Sequence, residues 1–277
     1  MVDRSIGRRV FRVVNAAVFV LYALLCLLPM IHVLSISLSS SVAVTAGEVK
    51  ILPVEFTLKS YEFVMKKAEF WRAMQVSLER IVLGVSLSTM MTILAAYPLS
   101  KPKRDFRAQP VFIWIFVFTM LFSGGMIPSY MIVRYTGLID KIWALVIPGV
   151  VQVFNIVLLM NYFRTIPKEI EEAAAIDGCG RLAFFWRIAL RLSVPGLVTT
   201  GILAFIGSWN GYLLPLFILN DASLYTLPLG VQAFSSEHSV DTAAVLAFTS
   251  LSMLPALAFF SLFERRIVGG LTGAVKG

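Results

Sequence analysis

The chain has 277 residues, of which 58% are hydrophobic and 14% are charged, with a net charge of +8 and a mean hydropathy of +0.83. This composition lies far outside the range of soluble proteins and indicates an integral membrane protein. The excess positive charge needs no nucleic-acid partner, because loops beside a membrane account for it. The two cysteines and two histidines are isolated in sequence, so we expect neither a metal site nor a disulfide framework.

Apolar stretches long enough to cross a bilayer alternate with polar segments along the whole chain. A bilayer core of about 30 Å requires about 20 apolar residues in a helix. We therefore predict six transmembrane helices, at about residues 13–38, 74–99, 111–133, 143–162, 196–219 and 243–263. Strand-like alternation is absent from these stretches, which favours helices over a barrel. The predicted fold is an all-α polytopic membrane protein whose residues 1–277 form one transmembrane domain.

The N-terminal apolar run has two interpretations, a signal peptide or a first transmembrane helix. Arginines precede it, and small residues near Ala46 resemble a cleavage site. That site lies too far beyond the run, and the hydrophobic pattern continues past Pro29 to Leu38. We therefore predict an uncleaved transmembrane helix.

The segment from Ser39 to Arg72 is polar, and we expect a small soluble loop with one amphipathic helix near Ser60 to Lys67. Glu79 and Arg80 follow near the start of the second span. A charge pair in a span is a functional hypothesis, but side chains near a helix end can also reach the interface. We favour the structural interpretation of this pair.

Polar or flexible residues interrupt three of the later spans. Gly124 and Gly125 permit either close helix packing or a broken helix in the third span. Polar side chains also occur in the fourth and fifth spans, at Gln152, Asn155, Trp209 and Asn210. Such groups are costly to expose to lipid. They either bond neighbouring helices or line a path for a polar solute, and the sequence leaves both open.

Between the fourth and fifth spans lies a polar segment, residues 167–192, that predicts two short helices joined by a reversal. Pro167 suits a first helical turn, and the glutamates that follow complement the helix dipole. Gly178 and Gly180 supply the reversal. The segment is compact and has small side chains on one helix face, which suits it to a cleft in a partner protein. A plain cytoplasmic loop has the same composition.

The distribution of basic residues predicts the orientation. With six spans, sixteen lysines and arginines fall on the side of the termini and residues 167–192, and seven fall on the other. The sixteen are Arg4, Arg8, Arg9, Arg12, Lys101, Lys103, Arg104, Arg107, Arg164, Lys168, Arg181, Arg187, Arg191, Arg265, Arg266 and Lys276. Since basic loops remain in the cytoplasm, we predict that both termini are cytoplasmic.

The order of residues in the segment 167–192 resembles the coupling loop, or EAA motif, of ATP-binding-cassette (ABC) importer permeases. Glu172-Ala173-Ala174, Asp177-Gly178, Ile188 and Pro195 carry the resemblance. Cys179 and Arg191 depart from the motif, since alanine and proline are usual there. The C-terminal tail, residues 270–277, is similar to that of maltose-type sugar permeases. The stretch from Phe122 to Pro148 looks like the branch that handles oligosaccharides from complex polysaccharides, including alginate.

The resemblance implies a type I ABC importer permease fold and an oligosaccharide import function, with no catalytic residues in this chain. It implies that ATP and Mg are bound by two cytoplasmic ATPase partners, and that this chain binds no cofactor. A periplasmic sugar-binding protein and a second permease, forming a heterodimer, are the other expected partners, in a bacterial inner membrane.

The resemblance suggests a coupling role for one group of residues, and the chemistry of the side chains suggests roles for two others. The coupling group that docks to the ATPase is Glu172, Ala173, Ala174, Asp177 and Gly178. The tail that contacts the ATPase is Gly273, Ala274, Val275, Lys276 and Gly277. The sugar path is Gln152, Asn155, Trp209 and Asn210, because amides and aromatic faces suit sugar hydroxyls.

Other functions are weaker interpretations of the same sequence. An ABC importer for a non-sugar solute shares the motif. A secondary transporter with Glu79 and Arg80 as a coupling pair lacks the expected inverted second half. An intramembrane enzyme would need an aspartate pair or a serine with a histidine base in the spans, and the sequence has neither.

Overall fold

The computed structural model describes residues 6–122, 124–238 and 241–275, and every regular element in these ranges is a helix. The first helices are α1 Ile6–Ser37, α2 Ser41–Thr45, α3 Lys59–Lys66, α4 Ala68–Ser100, α5 Gln109–Leu121, α6 Met126–Tyr135, α7 Ile142–Val146 and α8 Val153–Arg164. The remainder are α9 Lys168–Ile176, α10 Arg181–Phe184, α11 Leu190–Leu192, α12 Val194–Asn210, α13 Leu213–Ile218, α14 Leu227–Glu237 and α15 Thr242–Val275. A π-helical turn at Phe185–Ala189 joins α10 to α11.

Three helical stretches are individually long and apolar enough to cross a membrane: Val10–Ser37, Ala68–Ser100 and Thr242–Phe263. Three bent pairs raise the number to as many as six. These pairs are α5 with α6, Ile142–Gly149 with α8, and Arg181–Leu192 with α12. The described helices thus accommodate the six predicted crossings.

The third, fourth and fifth spans each contain a break, whereas the sixth lies within the continuous helix α15. Between α5 and α6, Gly125 has a φ of +84°, which glycine adopts without strain. The predicted fourth span bends by 48° between Gly149 and Val153. The predicted fifth span, 196–219, consists of α12, which ends at Asn210, and the separate α13. Pro195 lies in the first turn of α12, where its missing N–H removes no helical bond.

One compact unit comprises Met1–Trp71 and Gly230–Leu254. In it the chain after α1 folds back through serine side chains: Ser39 Oγ accepts from the Val54 amide at 3.0 Å and donates to the Ser35 carbonyl at 2.6 Å. The amphipathic helix expected near residue 60 is α3, and its Phe63 packs against Phe234 with ring centroids 6.3 Å apart.

The other unit comprises Arg72–Leu229 and Pro255–Gly277 and contains the predicted coupling segment. One of its loops is held by Asp140, whose carboxylate accepts the amides of Asn220 at 2.6 Å and Asp221 at 3.1 Å. These hydrogen bonds lower the pKa of the Asp140 carboxyl, and the bond from the Asn220 amide has the largest effect. The charged form of Asp140 therefore fastens the chain after α13 to the chain before α7.

Candidate functional site

The helix α9 ends in a glycine turn that satisfies its last carbonyl groups. Gly178 has a φ of +78°, and the Gly178 amide donates to Ala175 at 3.1 Å. The amide of Cys179 donates to the Ala174 carbonyl at 2.8 Å. This pair of bonds is a Schellman motif, which requires a left-handed residue just beyond the helix. Gly178 therefore fixes where α9 stops and the direction in which the chain leaves it.

One face of α9 packs on the protein and the other faces outward. Ala174 is 7% exposed and Ile170 is half-buried, four residues apart on one face. Glu172, Ala173, Asp177 and Gly178 are exposed. The predicted coupling residues are thus together on one short element, and all except Ala174 are accessible.

The inner face of α9 contacts an apolar cluster made by the ends of other helices. Buried members are Ala96, Leu99, Ile156, Leu159, Met160, Phe163, Ala174, Phe184, Phe185 and Ala189. They come from α4, α8, α9, α10 and the π-helical turn. Phe184, the last residue of α10, and Phe185, the first residue of that turn, are both buried, and the centroid of the Phe185 ring lies 4.5 Å from that of Tyr97. The wider turn lets neighbouring side chains share one buried side.

A charged contact also joins α9 to the end of α4. Lys101 Nζ lies 2.8 Å from each carboxylate oxygen of Glu171. A cavity of about 230 Å³ lies beside this pair, lined by Tyr97, Pro98, Lys101, Asp105, Phe106, Glu171 and Arg181. Local sequence patterns do not predict this contact, because the partners lie 70 positions apart.

Large apolar side chains stand exposed on either side of the Gly178 turn. Ile176 is 86% exposed, Leu182 76% and Trp186 62%. Charged residues of the same segment surround them in sequence, so this is not a continuous lipid-facing stretch. Exposed apolar side chains in a charged segment are typical of a protein-binding surface. We call Ile176, Leu182 and Trp186 the apolar docking patch.

The four predicted path residues occupy two different environments. Asn155 is 2% exposed, and its Nδ2 donates to Gln152 Oε1 at 2.7 Å and to the Thr200 carbonyl at 3.3 Å. Asn155 therefore links α8 to α12, as expected of a side chain that bonds a neighbouring helix. Asn210 is exposed at the end of α12, and the half-buried Trp209 stacks on Phe205 at 5.8 Å.

Glu79 and Arg80 do not pair with each other. Glu79 accepts from Gln75 Nε2 at 2.7 Å, whereas Arg80 Nη1 donates to the Gly211 carbonyl at 2.9 Å. That carbonyl follows the last residue of α12, where a cation also complements the helix dipole. A Cβ at position 211 would overlap the Arg80 guanidinium. The favoured structural interpretation of Arg80 agrees with these contacts.

The predicted ATPase-contact tail is described only in part. Gly273, Ala274 and Val275 belong to the backbone of α15. Lys276 and Gly277 lie outside the described residues. No group of three or more histidine, cysteine, aspartate or glutamate side chains with metal-binding geometry occurs within the described part of the chain.

The sequence and the fold both match known transport proteins. Residues 106–269 match the family described as binding-protein-dependent transport system inner membrane component. The chain is 31% identical to the polygalacturonan/rhamnogalacturonan transport system permease protein YtcP of Bacillus subtilis, over 97% of this chain and 99% of that protein. It is 30% identical to the sulfoquinovosyl glycerol transport system permease protein SmoH of Agrobacterium fabrum, over 91% and 89%.

A solved structure shares the fold along almost the whole chain. It is described as a bacterial ABC transporter involved in the import of the acidic polysaccharide alginate. The TM-score is 0.85 at 31% identity, covering 96% of this chain and 99% of that one.

Proposed function

Because the chain belongs to the family of binding-protein-dependent transport system inner membrane components, we propose that it is the permease subunit of an ATP-driven oligosaccharide importer. The predicted all-α polytopic fold and the family resemblance are confirmed by these matches. The observation that carries the coupling role is α9, a short helix that presents Glu172 and Ala173 outward beside the apolar docking patch.

The energy for transport enters through partner subunits. The sequence has no G-x-x-x-x-G-K-[ST] phosphate loop, so ATP and Mg are bound by two ATPase subunits. Each ATPase receives one coupling helix in a surface cleft. Closure of the ATPase pair displaces α9, and the apolar cluster passes this displacement to α8 and to the residues that precede α12.

The orientation follows from charge. The basic excess places residues 167–192 and both termini in the cytoplasm, where ATPases reside. The C-terminal tail, with Gly273, Ala274, Val275, Lys276 and Gly277, then lies on the ATPase side and contacts that partner. A periplasmic binding protein delivers sugar to the opposite side.

A second permease subunit completes the transport path. No residue in the most apolar window of the first span is buried within this chain, so lipid and a partner subunit cover it. The relatives described above are named as permease proteins of transport systems, and we propose a heterodimer of permeases. The path between them includes Gln152, Asn155, Trp209 and Asn210, of which Asn210 is the most accessible.

The substrate is an oligosaccharide released from an acidic polysaccharide. The descriptions of two matched proteins name acidic polysaccharides, polygalacturonan in one and alginate in the other. Both polymers are built from uronic acids, whose hydroxyls and carboxylates favour a polar path over an apolar one. Uptake of uronate oligosaccharides by proteoliposomes that contain the complete complex tests this assignment against neutral oligosaccharides of the same length.

The coupling role is tested by purifying the tagged chain together with its ATPase. Trp186→Glu and Ile176→Asp place charge in the apolar docking patch, so we expect each to reduce the ATPase that co-purifies by about tenfold. Phe56→Asp is the matched control, because Phe56 is an equally exposed aromatic residue in a different loop. Equal ATPase recovery from all three variants contradicts the proposal.

A further inference from the structure

Besides its packing against the apolar cluster and its covalent links to α8 and α10, the coupling helix makes a charged contact. Lys101, the residue directly after α4, binds both carboxylate oxygens of Glu171 on α9 at 2.8 Å. Covalent connection links α9 only to α8 before it and α10 after it. The ion pair therefore connects α9 to the end of α4, which is not adjacent to the coupling segment in sequence.

The surroundings of Lys101 hold its ammonium group in one place. Its Nζ lies 4.8 Å from the centre of the Tyr97 ring and 5.4 Å from that of Phe184. Cations over aromatic faces are stabilised by the ring quadrupole. The Lys101 side chain is 21% exposed and that of Glu171 is 48% exposed, so the ammonium group is partly shielded from water whereas the carboxylate is accessible to it. Residues of α4, α9 and α10 thus meet at one ammonium group.

The backbone that carries Lys101 is also fixed. The Gln109 side-chain amide donates to the carbonyls of Leu99 at 2.9 Å and Lys101 at 2.8 Å. Arg164, at the end of α8, donates to the same Leu99 carbonyl at 3.4 Å. A fixed backbone is what a contact needs to transmit movement, because a mobile tether would absorb it.

We propose that Lys101 and Glu171 are a positioning pair that makes the end of α4 move together with the coupling helix. The inference rests on the proposed function and adds a charged link from the coupling helix to α4, whose Ala96 and Leu99 also belong to the apolar cluster. Without the ion pair, α9 still packs against the apolar cluster, but a displacement of α9 is transmitted less strongly to α4. ATP is then hydrolysed with less sugar moved per turnover.

A double-mutant cycle that removes the two charges tests the pair. Lys101→Met, Glu171→Gln and the double variant are reconstituted in proteoliposomes with the partner permease, the ATPases and the binding protein. Sugar imported and ATP hydrolysed are both measured. We expect each single variant to lower the sugar-to-ATP ratio about threefold, and the double variant to be no worse, because the partners act as one unit.

Three controls separate positioning from general damage. Lys103→Met and Glu48→Gln remove the same charges from exposed positions outside the coupling helix, and we expect the wild-type ratio from both. Lys101→Arg keeps the charge and should retain most of the ratio.

Several outcomes overturn the inference. They are an unchanged ratio in the single variants, additive losses in the double variant, and a fall in assembled complex that fully explains the lost transport. If the wild-type complex itself neither binds an ATPase nor imports sugar, the proposed function fails and this inference fails with it. If the wild-type complex imports sugar and the variants keep its ratio, only the pair is refuted.

Discussion

At the residue scale, Gly178 holds a backbone conformation that other residues reach only with strain. Its φ of +78° lies in the left-handed region, and no atom lies within 4 Å of a Cβ built there. The cost of Gly178→Val is therefore conformational, roughly 1–2 kcal/mol or more for a β-branched residue. We expect transport to fall about tenfold while the amount of protein in the membrane is unchanged.

Gly180 provides the matched control for this substitution. It has a φ of −66°, which alanine adopts freely, and no atom lies near its Cβ position. Transport assays on Gly180→Ala should give nearly the wild-type rate. Similar rates for Gly178→Val and Gly180→Ala would show that the Schellman turn is not needed for coupling.

Asp140 makes the stability of its loop depend on pH. Hydrogen bonds from the Asn220 and Asp221 amides lower the pKa of its carboxyl, so the charged form is favoured by folding. Its contribution is complete above the unfolded aspartate pKa of about 4, and it is lost as the pH falls through the lower native pKa. In thermal unfolding of the detergent-purified protein, Asp140→Asn should lower the midpoint at pH 7 and reduce its fall towards pH 3.

The control for Asp140 is Glu48→Gln, which removes a charge from an exposed carboxylate in another loop. The Glu48→Gln protein should retain the wild-type pH dependence. A wild-type pH dependence in Asp140→Asn would mean that the loop contact does not contribute measurably to stability.

At the scale of elements, the packing of α8 against α12 depends on a glycine. A Cβ on Gly196 would lie 2.6 Å from Tyr162 Cγ and 3.0 Å from its Cβ, and these ring-base atoms cannot swing away. Gly196→Ala should therefore cost about 1–3 kcal/mol through overpacking. Gly201→Ala in the same helix meets no atom within 4 Å, so it should be neutral or stabilising. Thermal midpoints of the two purified variants decide the matter, and equal midpoints would exclude tight packing at Gly196.

Hydropathy predicts membrane helices because the bilayer imposes a length on any apolar segment. It did not locate the ends of the bent spans. The break before α8 and the end of α12 at Asn210 depend on whether neighbouring helices supply hydrogen-bond partners for the unpaired backbone groups. Arg80 does so by donating to the Gly211 carbonyl. Pro195 was a usable signal for the start of α12, and Gly125 for the break before α6.

The coupling segment was more predictable than the path. Its helix, turn and exposed face follow from local rules for glutamate, alanine and glycine. The burial of Asn155 and the pairing of Lys101 with Glu171 depend on contacts between distant segments, to which single-sequence patterns are blind.

At the scale of the whole molecule, the charge distribution predicts the side on which each loop lies. We expect a membrane-impermeant thiol reagent to label Phe56→Cys in intact spheroplasts, and Lys103→Cys only after permeabilisation. Both are made in a background without Cys26 and Cys179, the two native cysteines. The positive-inside rule is the physical reason, and the reverse pattern of labelling would invert the proposed orientation.

The apolar docking patch also bears on how long a newly made subunit survives. In the proposed orientation and assembly, Ile176, Leu182 and Trp186 face cytoplasmic water until an ATPase covers them, and quality-control proteases recognise exposed surface of this kind. An unassembled copy is thus marked for degradation by the same residues that bind its partner. The cellular level of the permease would then follow the supply of ATPase, with no dedicated regulator of stoichiometry.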